Sequence, residues 1–165
     1  MRIFFITTQS FPPRSFRVEH QFRAFSSRGV DVGSGAGLPA LPLALARPEL
    51  QVTALDSNQK KVRFITQAAL ELGIPNLTAV HRRVEDHSPT VRYDAVIARA
   101  FASLSDFIIA TAHLLAPGGV WLAMKGIRPT AELDALPSGC TLREVIPLHV
   151  PDLAAERHLV VLVSD

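Results

Sequence analysis

The residues best placed to do chemistry form a glycine-rich stretch, Asp31-Val-Gly-Ser-Gly-Ala-Gly-Leu-Pro39. Glycine has no Cβ, so it tolerates positive φ and lets a ligand approach the backbone closely. A turn of this kind between a strand and a helix can cradle a nucleotide-like ligand. Dinucleotide-binding turns place the third glycine three residues after the second, whereas Gly37 comes two residues after Gly35. The spacing therefore favours a ligand without a pyrophosphate, such as S-adenosylmethionine, over a dinucleotide.

Three further segments could complete such a site, because each follows a predicted strand. Asp56 ends the second strand, where an acid can accept hydrogen bonds from the ribose hydroxyls of an adenosine ligand; a helix N-cap or first-turn acid is the alternative. Val84 and Glu85 follow the third strand, where they could hold an adenine. Arg99 ends the fourth strand, at the rim where open α/β sheets bind ligands, although a surface ion pair also suits that position.

The elements that must position these residues alternate between strand and helix from Asp31 onward. Apolar periodicity, capping residues and glycine stops predict strands over 51–55, 76–81, 93–98 and 120–124, and helices over 38–47, 59–72, 104–115 and 130–136. The segments 141–150 and 157–163 predict a closing pair of antiparallel strands. This alternation is typical of a doubly wound α/β fold. We therefore expect a mostly parallel sheet with an antiparallel edge pair and helices on both faces.

The strand that leads into the glycine-rich turn is the weakest element of the pattern. A central parallel strand is buried on both faces and should be a near-continuous apolar run. Only Val30 stands before Asp31, and Ser26-Ser27-Arg28-Gly29 precedes it. The sequence therefore predicts a shortened first strand.

The amino-acid composition limits the classes of protein to which this chain can belong. The 165 residues, of which 48% are hydrophobic and 19% charged, predict one globular domain. No apolar run approaches the roughly 20 residues of a membrane span, so we expect a soluble, cytoplasmic protein. The single cysteine, Cys140, excludes an internal disulfide and a multi-cysteine metal site, and the six histidines lack the spacing of metal ligands. We therefore predict no metal and no membrane partner.

Residues 1–29 differ in character from the rest of the chain. Six of the nine phenylalanines lie there, together with five arginines and one acidic residue, Glu19. We expect a basic, Phe-rich N-terminal segment that is loosely packed, disordered or an aberrant start, followed by one domain over 30–165. The N-terminal segment carries a net charge of +4 and the rest of the chain a net charge of −2, so any nucleic-acid binding by the domain requires a local basic patch.

Seven motifs occur in an order that resembles one known family. They are Asp31-Val-Gly-Ser-Gly-Ala-Gly-Leu-Pro39, Leu55-Asp-Ser-Asn-Gln-Lys-Lys-Val-Arg-Phe64, Arg83-Val-Glu-Asp86, Arg99-Ala-Phe-Ala-Ser-Leu104, Leu114-Leu-Ala-Pro-Gly-Gly119, Met124-Lys-Gly126 and Glu156-Arg-His-Leu159. Together they resemble the bacterial 16S rRNA (guanine-N7) methyltransferases, the RsmG/GidB family. The resemblance covers about residues 30–165.

The resemblance implies a class I, Rossmann-like, S-adenosylmethionine-dependent methyltransferase fold. It implies transfer of a methyl group to N7 of guanine 527, in the 530 loop of 16S rRNA, by a monomer that acts on the small ribosomal subunit. The residues expected to bind the cofactor are Gly33, Gly35, Gly37, Leu38, Asp56, Val84, Glu85 and Arg99. In this expectation residues 30–165 form the methyltransferase domain.

Guanine N7 carries an in-plane lone pair and no proton, so the reaction needs no general base and no catalytic residue is assigned. The enzyme's main task is positioning, and Arg99 is a candidate for orienting the guanine. Candidate RNA contacts are Lys60, Lys61, Arg63, Lys125 and Arg128, with a merely solvated helix face as the alternative for the first three.

Two departures from the family pattern leave other functions open. Ala40 stands where the family usually has glycine, and residues 1–29 do not resemble the family's longer helical extension. The alternative function is a catalytically impaired remnant that binds cofactor or RNA. A nicotinamide-dependent oxidoreductase is a further alternative.

Overall fold

The computed structural model describes residues 28–99, 101–149 and 154–165. The predicted N-terminal segment therefore lies outside the described residues except for Arg28 and Gly29, and so does Val150, the predicted end of a strand.

The described chain forms one seven-stranded sheet in the order β3-β2-β1-β4-β5-β7-β6. Its strands are β1 (Arg28–Val32), β2 (Gln51–Asp56), β3 (Leu77–His81), β4 (Tyr93–Arg99), β5 (Leu115–Lys125), β6 (Cys140–Pro147) and β7 (His158–Ser164). Strands β1 to β5 are parallel, whereas β7 is antiparallel to both β5 and β6. The predicted α/β architecture with an antiparallel edge pair is confirmed. Because the strand order reverses between β1 and β4, the switch point where open sheets bind ligands lies there.

Helices cover both faces of the sheet, as predicted. They are α1 (Ala40–Ala46), α2 (Gln59–Glu71), α3 (Leu104–Thr111) and α4 (Thr130–Leu133). On one face, Ala44 of α1 and Ile65 of α2 pack in the same core cluster as Val52 of β2. On the other face, Phe107 of α3 packs with Trp121 of β5. Alternate side chains of β2, β4, β5 and β7 therefore enter different core clusters.

Strand β1 is longer than the sequence predicted. All five residues pair with β2, and Gly29 to Val32 also pair with β4. The backbone amide of Arg28 donates to Asp94 Oδ2 at 3.0 Å, and its guanidinium carbon lies 5.8 Å from the centroid of the Tyr93 ring. Main-chain pairing on two sides and these contacts extend the strand through residues that are not apolar.

All four predicted helices are shorter than expected, and α3 and α4 end well before their predicted C-terminal residues. Helix α3 is capped by Ser103 as predicted but ends at Thr111, and a 3₁₀ turn over Ala112–Leu114 follows. Leu115 already pairs with Tyr93, and the next pair is Val120 with Ala95, so the Pro-Gly-Gly segment bulges out within β5. Gly118 in this bulge has a φ of 73°, a conformation that disfavours residues with a side chain. Helix α4 likewise ends at Leu133 rather than 136.

A buried pair, His87 and Tyr93, joins the loop between β3 and β4 to the first residue of β4. His87 is 9% exposed, and its Nε2 lies 2.9 Å from the Tyr93 hydroxyl. Burial lowers the pKa of His87, and the positive charges of Arg82 and His113 act in the same direction. The fold therefore favours the neutral imidazole.

We predict that this pair makes the fold sensitive to acid. Because the pKa is lower in the folded chain than the ordinary value of 6.5, the unfolded chain binds more protons as the pH falls through that value. The free energy of unfolding, measured by urea titration at pH 7.5 and pH 5.5, should fall less in His87→Gln than in the wild type. His149→Gln, at an exposed histidine, is the control and should keep the wild-type difference. Equal differences in all three proteins would contradict this account.

Candidate functional site

The glycine-rich loop closes at the carboxyl ends of β1 and β2. The amides of Gly33 and Ser34 donate to the carbonyl oxygen of Leu55 at 2.9 and 3.1 Å. Gly33, Gly35 and Gly37 all have positive φ, at 71°, 61° and 82°. Only glycine adopts these angles without strain, so the three glycines are what allows the chain to turn from β1 into α1 here.

Asp31 holds the loop from the β1 side. It is 1% exposed, and its Oδ2 accepts hydrogen bonds from Ser34 Oγ at 2.6 Å and from the Ala40 amide at 3.1 Å. Its Oδ1 is buried and has no hydrogen-bond partner within the described structure. Burial raises the pKa of Asp31, and the nearby charge of Arg99 acts in the opposite direction. A buried acceptor without a partner is costly, so Oδ1 suits a donor, above all a cationic one.

Asp56 holds the same loop from the β2 side. It is 6% exposed; its Oδ2 accepts from the Gly35 amide at 2.8 Å and its Oδ1 from the Asn58 amide at 2.8 Å. The alternative of an N-cap is excluded, because Asn58 caps α2 by accepting from the Lys60 and Lys61 amides. Each carboxylate oxygen can accept a further hydrogen bond, so Asp56 can bind two neighbouring hydroxyls.

A cavity of about 190 Å³ opens beside this loop. Its lining residues are Val32, Gly33, Leu55, Asp56, Ser57, Arg82, Arg83, Val84, Glu85 and Phe101. No atom lies within 4 Å of the position that a Cβ would take at Gly33, so the backbone faces open space there. The lining combines apolar side chains, one buried carboxylate and the charged side chains of Arg82, Arg83 and Glu85, which suits a polar ligand that carries a flat ring and a sugar. We call this space the first cavity.

Four of the predicted ligand-binding residues line the first cavity, namely Gly33, Asp56, Val84 and Glu85. Gly35 contributes its amide to Asp56. Gly37 instead meets the helices, since a Cβ there would lie 2.5 Å from Leu41 Cδ1 and 3.3 Å from Ile65 Cγ1. Leu38 is 44% exposed and is not among the residues that line this cavity.

Arg99 lies at a second cavity, of about 490 Å³, where β4, β5 and β7 meet. Met124, Lys125, Gly126, Leu148, Arg157 and His158 also line it. A neighbouring hollow of about 470 Å³ shares Leu148, Arg157 and His158 and adds Arg128. Several cationic side chains around open space suit an anionic partner such as a nucleic-acid backbone.

Arg157 and His158 were not among the predicted site residues. Strand β7 is antiparallel to β5, so its first residue pairs with Lys125 at the carboxyl end of β5. His158 Nδ1 also lies 2.7 Å from the carbonyl oxygen of Gly126. The predicted antiparallel edge pair was the signal that could have found both residues, because it brings the start of the last strand to the ligand-binding edge.

The predicted basic residues fall into two separate groups. Lys60, Lys61 and Arg63 are exposed on α2, and Lys61 Nζ lies 3.9 Å from Asp56 Oδ2. Lys125 and Arg128 lie at the second cavity and its neighbour. Lys125 differs from the others because its side chain is only 14% exposed and lies in a close ion pair, 2.8 Å from Glu132.

No group of three or more His, Cys, Asp or Glu side chains in residues 28–99, 101–149 and 154–165 is arranged to hold a metal ion. In the same ranges, every helix is too short or too polar to cross a membrane.

Comparison with known proteins identifies the family. The family model described as "GidB: rRNA small subunit methyltransferase G" matches residues 15–160. A Ribosomal RNA small subunit methyltransferase G from Chromobacterium violaceum is 50% identical over 140 residues, 85% of this chain and 67% of that protein. One from Aromatoleum aromaticum is 54% identical over 136 residues, 80% of this chain and 64% of that protein. The chain thus spans about two thirds of the length of these relatives.

Solved structures show the same fold at lower identity. TrmN from Thermus thermophilus superposes with a TM-score of 0.70 at 23% identity, over 89% of this chain and 48% of that one. An rRNA methylase from Streptococcus thermophilus superposes with a TM-score of 0.62 at 20% identity, over 94% of this chain and 99% of that one. The sheet order, the loop between Asp31 and Asp56 and the sequence matches agree: this chain belongs to the GidB family of rRNA small subunit methyltransferase G proteins.

Proposed function

We propose that this chain transfers a methyl group from S-adenosylmethionine to N7 of a guanine in 16S rRNA, guanine 527 of the 530 loop. The observation that carries the proposal is the pair of buried carboxylates, Asp31 and Asp56, that hold the glycine-rich loop against the first cavity. Membership of the family supports rRNA methylation. We propose in addition where the cofactor binds and which atom of which nucleotide receives the methyl group.

The residues around the first cavity fit S-adenosylmethionine. Asp31 does not line the first cavity, but it holds the loop that borders it, and its unpartnered Oδ1 suits the ammonium group of the methionine moiety. The remaining lone pairs of Asp56 suit the two ribose hydroxyls. Val32, Leu55, Val84 and Phe101 offer apolar surface to an adenine. Val84 and Glu85, at the far edge of the cavity, are placed to contact the ring.

The bound cofactor supplies an electrophilic sulfonium methyl group, and guanine N7 supplies its own lone pair. The chain therefore needs no group to remove a proton, and its contribution is to bring the two reactants into line. Asp31 and Asp56 fix the loop that would hold the donor. Arg99, at the end of β4 and on the wall of the second cavity, is placed to orient the guanine.

The second cavity fits the RNA. Arg99, Arg128 and Arg157 surround it and its neighbour, and cations at this density suit phosphate oxygens of a folded RNA. Lys60, Lys61 and Arg63 would make further phosphate contacts, since cations near a helix N-terminus oppose the helix dipole and are better placed beside an external anion. We propose the small ribosomal subunit in the cytoplasm as partner and a monomer as the acting form.

We predict that Asp31→Asn separates ligand binding from stability. The Asn carbonyl can still accept from Ser34 and Ala40, but its amide group turns a donor toward the cofactor's ammonium. Affinity for S-adenosylhomocysteine, measured by calorimetry, should fall about tenfold or more, the worth of a charged hydrogen bond. Because burial raises the pKa of Asp31, its ionisation at neutral pH costs stability. The free energy of unfolding in urea should therefore not fall.

The matched control is Asp86→Asn, which neutralises an exposed carboxylate in the loop after β3. It should leave both measurements at wild-type values. Wild-type affinity in Asp31→Asn would contradict the role given to Asp31.

Methyl transfer itself is the direct test of the function. Small ribosomal subunits from cells that lack the modification are incubated with the chain and radiolabelled S-adenosylmethionine. We expect label in 16S rRNA and chain scission at guanine 527 after borohydride and aniline treatment, which reports N7-methylguanine. Cofactor binding without transfer would overturn the proposal and favour the impaired remnant.

A further inference from the structure

A partly buried ion pair lies between the two cavities. Lys125 ends β5, and Glu132 lies in α4. The ammonium nitrogen of Lys125 is 2.8 Å from Glu132 Oε2 and 3.1 Å from Oε1. The two side chains are 14% and 30% exposed. Charges withdrawn from water to this extent interact more strongly than an exposed pair.

Glu132 also interacts with a second group of positive charge. Its Oε2 accepts a hydrogen bond of 2.7 Å from the amide of Leu104, the first residue of α3. Amides in the first turn of a helix have no partner within the helix and carry its positive end. One carboxylate therefore joins the end of β5 to the start of α3.

Lys125 in turn reaches the loop between β4 and α3. Its Nζ lies 3.5 Å from the carbonyl oxygen of Phe101. The Phe101 ring lies 5.2 Å from the ring of Phe107 in the core and lines the first cavity. Lys125 and Arg99 line the second cavity. Because Phe101 lines the first cavity, the ion pair holds the backbone of a residue in the wall of that cavity.

We propose that Glu132 is a positioning residue that acts through Lys125 to hold Phe101 against the cofactor. This inference rests on the proposed function, because it assumes that the first cavity binds S-adenosylmethionine. Without the carboxylate, the ammonium and the positive end of α3 face each other unscreened. Lys125 then turns toward the open second cavity and releases the Phe101 carbonyl. In this account the ammonium of Lys125 is occupied by Glu132, not by an RNA phosphate.

Glu132→Gln tests the inference, because it keeps the shape of the side chain and removes its charge. We expect the dissociation constant of S-adenosylhomocysteine, from calorimetry, to rise about fivefold, as for one charged hydrogen bond partly lost. The binding stoichiometry and kcat at saturating cofactor should stay within about twofold of the wild type, while KM for the cofactor rises with the dissociation constant. A purely structural defect would instead lower the stoichiometry and kcat.

The pair is checked by a double-mutant cycle. Lys125→Met should raise the dissociation constant by a similar factor, and the double variant should be no weaker than either single one. Asp134→Asn, an exposed carboxylate two positions after Glu132, is the matched control and should bind as the wild type does.

The following results would overturn the inference. Wild-type affinity in Glu132→Gln overturns it and leaves the proposed function standing. Additive losses in the double variant overturn it too, since the residues would then act independently. No binding by the wild-type chain overturns the proposed function and the inference with it. Should Glu132→Gln fail to fold, Phe101→Ala removes the wall and leaves the pair, and wild-type affinity in that variant counts against the inference equally.

Discussion

The structure depends on one arrangement, in which two carboxylates hold a single glycine-rich loop. Asp31 binds the loop through Ser34 and Ala40, and Asp56 binds it through Gly35. Both carboxylates are almost fully buried. Burying charge is costly unless it is satisfied, yet one oxygen of Asp31 has no partner in the described chain. A ligand that donates a hydrogen bond to this oxygen would offset that cost.

The topology explains why this loop lies beside a basic surface. Reversal of strand order between β1 and β4 opens the sheet at the point where both strands end. The antiparallel strand β7 then brings its first residues to the same edge, so Arg157 and His158 join Arg99 there. One edge of the sheet therefore carries a cavity that contains the buried carboxylate of Asp56 and a second cavity that several cations line. The proposed function, which combines a cationic methyl donor with an anionic RNA, requires two such neighbouring sites.

Residues that follow a strand directly were predictable, and those placed by long-range pairing were not. Asp56, Val84 and Glu85 line the first cavity because the chain leaves β2 and β3 at the ligand-binding edge. The length of β1 was underestimated, since composition does not reveal that Gly29 pairs with strands on both sides or that Arg28 pairs with β2 and donates to Asp94. The Lys125–Glu132 pair was not predicted, although its two residues are only seven positions apart in sequence. Its third partner, the Leu104 amide, is distant in sequence and comes close only in the folded chain.

Binding of the cofactor tests the central claim most directly, because every other role follows from what the first cavity holds. Titration calorimetry of the chain with S-adenosylmethionine and, separately, with NAD distinguishes the two nucleotide classes that glycine-rich turns serve. The account predicts a one-to-one complex with S-adenosylmethionine and no heat of binding with NAD. Binding of NAD alone would contradict it.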